Sequence, residues 1–203
     1  MMLQSAESGS GSGQFPLNLS EDHYIAALFP AIVCRRAVLI NELVSKGGRY
    51  SAFSESDLER AKVLLKPYFG VKRSKGQSRC VPDLAIFVGG RVLIFEFKFF
   101  SRSTYKGVAD QLDVHKRAVE KDWPEEIRTS EVLLCLIGPA EKLPTRAAAT
   151  FLTKGVAYLS WRELAALVLD PASEPEKAVE ADLHRALNRW AEMKNGKEGQ
   201  ADP

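Results

Sequence analysis

Asp83, Glu96 and Lys98 are of the types, and at the spacing, that metal-assisted hydrolysis uses. They lie in two runs rich in β-branched and aromatic residues, 81–88 and 91–99, separated by Gly89-Gly90, the pattern of a two-residue hairpin. In such a hairpin Val88 faces Arg91 and facing positions sum to 179, so Asp83 falls opposite Glu96. Directly opposed residues have Cβ atoms roughly 4.5–5.5 Å apart, and like charges there repel. Something positive belongs between them. Alternation puts Lys98 on the face of Glu96, and Leu84, Ile86, Leu93, Phe95 and Phe97 on the other.

Apart from these three, the hairpin's only charge is Arg91 at the turn, and both faces are otherwise apolar. Ionised groups in such surroundings are costly unless paired or bound to a cation. Two carboxylates across a strand pair are hard oxygen ligands of the kind Mg²⁺ or Mn²⁺ prefers, with water and a phosphate oxygen completing the shell. A metal so held offsets the repulsion and activates water, while Lys98 orients or deprotonates that water or stabilises the pentacovalent species. Phosphodiester hydrolysis is the chemistry implied. The alternative is that Lys98 simply neutralises two acids in a solvated ion network.

Pro82-Asp83, a thirteen-step gap and Glu96-Phe97-Lys98 together resemble the PD-(D/E)XK nuclease superfamily. The resemblance implies that Asp83 and Glu96 hold the metal, that the Phe97 carbonyl is a further ligand, and that Lys98 assists the attacking water. It also implies an α/β fold: a restriction-endonuclease-like α-β-β-β-α-β core over residues 54–160, with a mixed central sheet flanked by extra N- and C-terminal helices. The branch typified by bacterial recombination exonucleases adds a Gln on the following helix and a Tyr four residues later. Gln111 fits, and His115 stands where the Tyr would be. Many members use one more carboxylate from the helix before the strands; Glu59 is the preferred counterpart, with Glu42 and Glu55 as competitors.

The elements that position these residues are legible in part. A flexible Gly/Ser-rich tail over 1–19 precedes an N-terminal helical extension over 20–53, which Pro30 is expected to kink and Gly47-Gly48 to stop. Ser54 or Ser56 caps a helix whose apolar stripe, Leu58, Ala61, Leu64 and Leu65, runs on to Pro67, and a short strand follows near 69–73. Residues 104–122 form a helix with Val108, Leu112 and Val119 inward. Gln111 and His115, one turn apart, fall beside that stripe within reach of the metal site. A satisfied boundary histidine is the other reading of His115. Buried strands over 132–137 and 156–159 come next. Helices over 161–195 then pack on the core, the first begun by Ser160-Trp161-Arg162-Glu163, and a disordered tail over 196–203 ends the chain.

The net charge of +2 hides an uneven distribution. Seven basic residues and no acidic one lie between Arg60 and Cys80, while from Trp161 onward nine acids face six bases. Lys72, Arg73, Lys75 and Arg79 lead straight into Asp83 and suit contact with a DNA backbone; Arg102, Lys106, Lys116 and Arg117 extend the patch. Three cysteines without CxxC spacing suggest reduced thiols in a cytoplasmic protein, and no apolar run reaches the ~18 residues of a membrane span. The expected function is a Mg²⁺- or Mn²⁺-dependent nuclease acting on DNA, as a homodimer or in a larger defence or repair assembly. The alternatives are a catalytically silent nuclease-fold module that binds nucleic acid or a protein, and an RNA nuclease.

Overall fold

A computed structural model describes residues 21–47, 51–67, 81–99, 105–122 and 131–198. Helices α1 (Glu21–Cys34), α2 (Arg36–Gly47) and α3 (Glu55–Glu59) lead into strands β1 (Lys62–Leu65), β2 (Leu84–Val88) and β3 (Arg91–Phe97). Then come α4 (Tyr105–Asp122), β4 (Glu131–Gly138), α5 (Thr145–Lys154), β5 (Val156–Ser160), α6 (Trp161–Val168) and α7 (Glu174–Glu198). The five strands form one mixed sheet in the order β1-β2-β3-β4-β5. The first two pairings are antiparallel, and those of β3 with β4 and β4 with β5 are parallel.

The hairpin register is the expected one. Val88↔Arg91 through Leu84↔Phe95 all sum to 179, closed by Gly89 and Gly90 with φ of 52° and 72°. That sign at both turn positions matches the right-handed strand twist, and side chains rarely tolerate it. Because β3 and β4 lie in mid-sheet with helices on both faces, they read as continuous apolar runs. On one face Leu84, Ile86, Leu93, Phe95 and Phe97 pack with α1, α2, α6 and α7. On the other Ala85, Val92 and Ile94 pack with Val108, Ala109, Leu112 and Val119 of α4 and Phe151 of α5.

The structure differs from the local readings in several places. The helix expected up to Pro67 ends at Glu59, and Lys62–Leu65 is instead an edge strand on β2. Leu64 and Leu65 carry a helical period, but the ladder that β2 offers outweighs a weak local preference. Ser54, not Ser56, is the N-cap, and the strand expected near 69–73 lies outside the described residues. The first helix runs through Pro30 and turns only at Arg35, with a 97° bend between its two parts. Helix α5 has no counterpart in the sequence reading, although its alanine run and left-handed Gly155 cap are ordinary signals. The last helix continues to Glu198, past the expected start of a disordered tail; residues 1–19 and 199–203 lie outside the described residues. No single described helix is long and apolar enough to cross a membrane; the bent α1–α2 pair passes by length and composition, and most of its large apolar side chains, Tyr24, Ile25, Leu28, Ile32, Leu39, Ile40 and Leu43 among them, are in the core.

Helix α6 begins with a full capping box. Ser160 Oγ accepts from Glu163 N–H, and the Glu163 carboxylate accepts from Ser160 N–H at 2.7 Å and from Lys46 Nζ at 2.7 Å. Partial burial pushes the Glu163 carboxyl up, but its bonds to Lys46 and Ser160 outweigh this and hold it below its ordinary range. A carboxyl depressed on folding contributes stability in full above its unfolded pKa, and that stability disappears as pH falls through the folded value. Glu163→Gln is therefore expected to lower the unfolding free energy measured in urea at pH 7, by under about 1 kcal/mol for so exposed a group. The deficit should shrink on acidification below the usual Glu range. An equal deficit at pH 7 and pH 3 would contradict the assignment.

Candidate active site

The charged cluster sits where β3 ends. Glu96 is 2% exposed and projects from β3 onto the α4 face. Its Oε1 accepts from Lys98 Nζ and from Gln111 Nε2, the latter at 2.6 Å, and its Oε2 lies 3.3 Å from His115 Nε2. An ionised carboxylate only accepts, so His115 carries its proton on Nε2. Burial alone would push the Glu96 carboxyl up; the His115 bond and the Lys98 charge and bond overcome that and hold it below its ordinary range. The buried acid is thus charged at neutral pH, with an ammonium on one oxygen.

Asp83 lies one residue before β2. Its Oδ2 accepts the Phe97 N–H at 2.8 Å, and its own carbonyl accepts the Lys66 N–H at 2.8 Å. The expected repulsion between facing acids is therefore relieved in two places: Lys98 answers Glu96, and a backbone N–H answers Asp83. Odd-numbered residues of β3 bond toward β2, so carrying the register two steps past Leu84↔Phe95 sets Phe97 opposite residue 82. Residue 82 is proline and has no N–H to give the Phe97 carbonyl. The Phe97 N–H donates to Asp83 Oδ2, and the Phe97 carbonyl faces a position with no ladder donor.

Asp83 and Glu96 carboxylates and the Phe97 carbonyl are the hard oxygens at this edge. Among the described residues no three His, Cys, Asp or Glu side chains gather into a metal-holding group. A cation here would thus be held by two carboxylates, one carbonyl and water. Glu96 uses three of the roughly four lone-pair positions a carboxylate offers. The donor set fits Mg²⁺ or Mn²⁺, which keep several waters and take one or two carboxylates. The place is also the usual one: the carboxyl ends of β3, β4 and β5 share this edge, and ligands of open α/β sheets bind outside such ends.

Gln111 and His115 both reach Glu96, from adjacent turns of α4. The further carboxylates do not join them. Glu55 and Glu59 bracket α3, which lies against the hairpin turn: a Cβ built on Gly89 would come 3.0 Å from Asp57 Cγ. That is the end of β2 opposite Asp83. Glu42 is on α2, across the sheet, where it pairs with Lys46. The proposed backbone contacts Lys72, Arg73, Lys75 and Arg79, with Arg102, lie outside the described residues. Lys106, Lys116 and Arg117 are on α4, the helix that carries Gln111 and His115.

Sequence reasoning placed Trp161 only in the Ser160-Trp161-Arg162-Glu163 start of a helix, yet its Nε1–H donates to the Lys98 carbonyl at 2.9 Å. Partners 63 positions apart leave no local signal.

No protein-family model matches the chain, and no curated protein matches it. A solved structure of the restriction endonuclease PspGI with substrate DNA is similar at 11% identity and a TM-score of 0.33, over 75% of this chain and 60% of that one. So slight a likeness does not identify the fold, and the chain spans about 60% of the length of that protein.

Proposed function

We propose that this chain is a divalent-metal-dependent nuclease of the PD-(D/E)XK type that hydrolyses phosphodiester bonds in DNA. One observation carries the reading. A buried, ionised Glu96 stands at the carboxyl edge of the central strand, with the Lys98 ammonium on the same face and the Asp83 carboxylate anchored one peptide away.

In this reading Asp83, Glu96 and the Phe97 carbonyl hold Mg²⁺ or Mn²⁺. When bound, the ion supplies a water of lowered pKa and neutralises charge on the phosphate. Lys98 orients that water and stabilises negative charge as it develops. Gln111 and His115 fix the Glu96 carboxylate from α4. Lys72, Arg73, Lys75 and Arg79 supply phosphate contacts just upstream of Asp83, which would make affinity salt-sensitive and largely independent of base sequence. A reducing cytoplasm suits the exposed thiol of Cys34 and the buried thiol of Cys135.

A second reading has an observation of its own. Lys98, Gln111 and His115 already satisfy Glu96 with protein donors, so the cluster is stable without a cation, as a non-cutting module that binds nucleic acid or a protein would need.

Plasmid, linear, single-stranded and branched DNA, with RNA alongside, separate these readings when each is incubated with Mg²⁺, Mn²⁺ or a chelator. Cleavage of DNA that the chelator stops is expected, together with calorimetric Mn²⁺ binding that Glu96→Gln removes. Mn²⁺ binding absent from the wild-type protein would favour the silent module, and cleavage confined to RNA would move the substrate class.

A further inference from the structure

The Lys98 main chain is held from the side of the sheet opposite its ammonium. Its N–H donates to the Ile137 carbonyl of β4 at 2.8 Å. The parallel register, Phe97↔Ile137, sets Lys98 against Gly138, so its carbonyl would next accept from the N–H of residue 139. Residue 139 is proline. The missing donor comes from the Trp161 indole, whose Nε1–H meets the Lys98 carbonyl at 2.9 Å. Phe97 and Phe99, on either side of Lys98, pack their rings against the same indole, with centroids 5.2 and 5.4 Å away.

Three consecutive residues at the end of β3 thus meet one fully buried side chain. That side chain is itself fixed. Trp161 is the first residue of α6, behind the Ser160–Glu163 capping box that Lys46 ties to α2. Tyr24 of α1 stacks on Phe99 with centroids 5.0 Å apart and touches the indole edge-on. The two prolines that flank the end of β3 therefore have different outcomes. Among the described residues nothing in the ladder replaces the donor missing at Pro82, opposite the Phe97 carbonyl, whereas an indole replaces the one missing at Pro139.

We propose that Trp161 is a positioning residue for Lys98: its N–H fixes the Lys98 peptide, and so the direction in which the ammonium leaves β3 toward Glu96. The consequence for catalysis rests on the nuclease reading; the geometry does not, and the two are tested apart.

Trace acetylation of amines, read by peptide mass spectrometry against exposed Lys177, reports how tightly Lys98 is held, whether or not the protein cuts DNA. Trp161→Phe keeps a ring and loses the donor. Circular dichroism should show it folded, Lys98 should label several-fold faster, and kcat should fall about 10-fold to 100-fold, as slight misplacement of a reacting group does, with KM for DNA unchanged. Adding Pro139→Ala restores a backbone N–H beside the Lys98 carbonyl and should return labelling toward wild type. Unchanged Lys98 labelling in Trp161→Phe, an unchanged kcat where the wild-type protein is active, or no recovery in the double variant would each overturn the proposal. A wild-type protein that cuts nothing overturns the nuclease reading and leaves labelling to decide this one.

Discussion

Replacing Lys98 by alanine is expected to lower metal-dependent DNA cleavage by about 10²- to 10⁴-fold, the span a positioned proton-transfer group supplies. Its ammonium lies on the face of Glu96 and bonds Oε1, so it stands where a water held between Glu96 and Asp83 would be oriented. Asp83→Ala should be as severe, for a different reason: it removes a hard ligand and also the acceptor of the Phe97 N–H. Asp83→Asn separates those two effects. An amide oxygen can still accept the Phe97 N–H, but the negative charge is gone. If the charge holds metal, Asn should be nearly as inactive as Ala; if Asp83 only braces the strand end, Asn should restore cleavage. Initial rates on linear DNA at saturating Mg²⁺ make the comparison, with circular dichroism as the check on folding. Wild-type rates in Lys98→Ala or in Asp83→Ala would end the nuclease reading.

The parts of this site that were legible in the sequence are those that short-range geometry fixes. Gly89-Gly90 allows a two-residue turn and little else, so the register, the shared face of Glu96 and Lys98, and the apolar face of Phe95 and Phe97 follow by counting. The stripe of α4 likewise placed Gln111 and His115 toward the sheet, where both meet Glu96. Where two patterns competed, tertiary pairing decided: residues 62–65 have apolar positions that suit a helix, yet they pair with β2. The link from Trp161 to Lys98 was beyond sequence reading because it joins two strand ends through the sheet. In hindsight its one sequence mark is Pro139, which cannot give the Lys98 carbonyl its ladder bond.

Lys98→Met is expected to destabilise the fold by about 3–5 kcal/mol, the usual consequence of leaving one half of a buried ion pair charged. Glu96 is the half that cannot adapt: its side chain is 3% exposed against 17% for Lys98. Gln111 and His115 stay as donors, but the ammonium on Oε1 is lost. Glu96→Gln should therefore cost less than Lys98→Met, because a freed ammonium on a flexible stem can turn to water at the sheet edge. In the double variant Glu96→Gln/Lys98→Met no charge is left buried; the single amide oxygen serves one of Gln111 and His115, and the other meets the new NH2 as an acceptor by an amide flip or a tautomer change. Stability there should return most of the way to wild type. Urea unfolding of all four proteins at pH 7 gives the coupling directly, and single losses that add within about 0.5 kcal/mol would mean the two groups do not form a pair in solution. A strong coupling would mean that the charges which make the site reactive are held in place by each other.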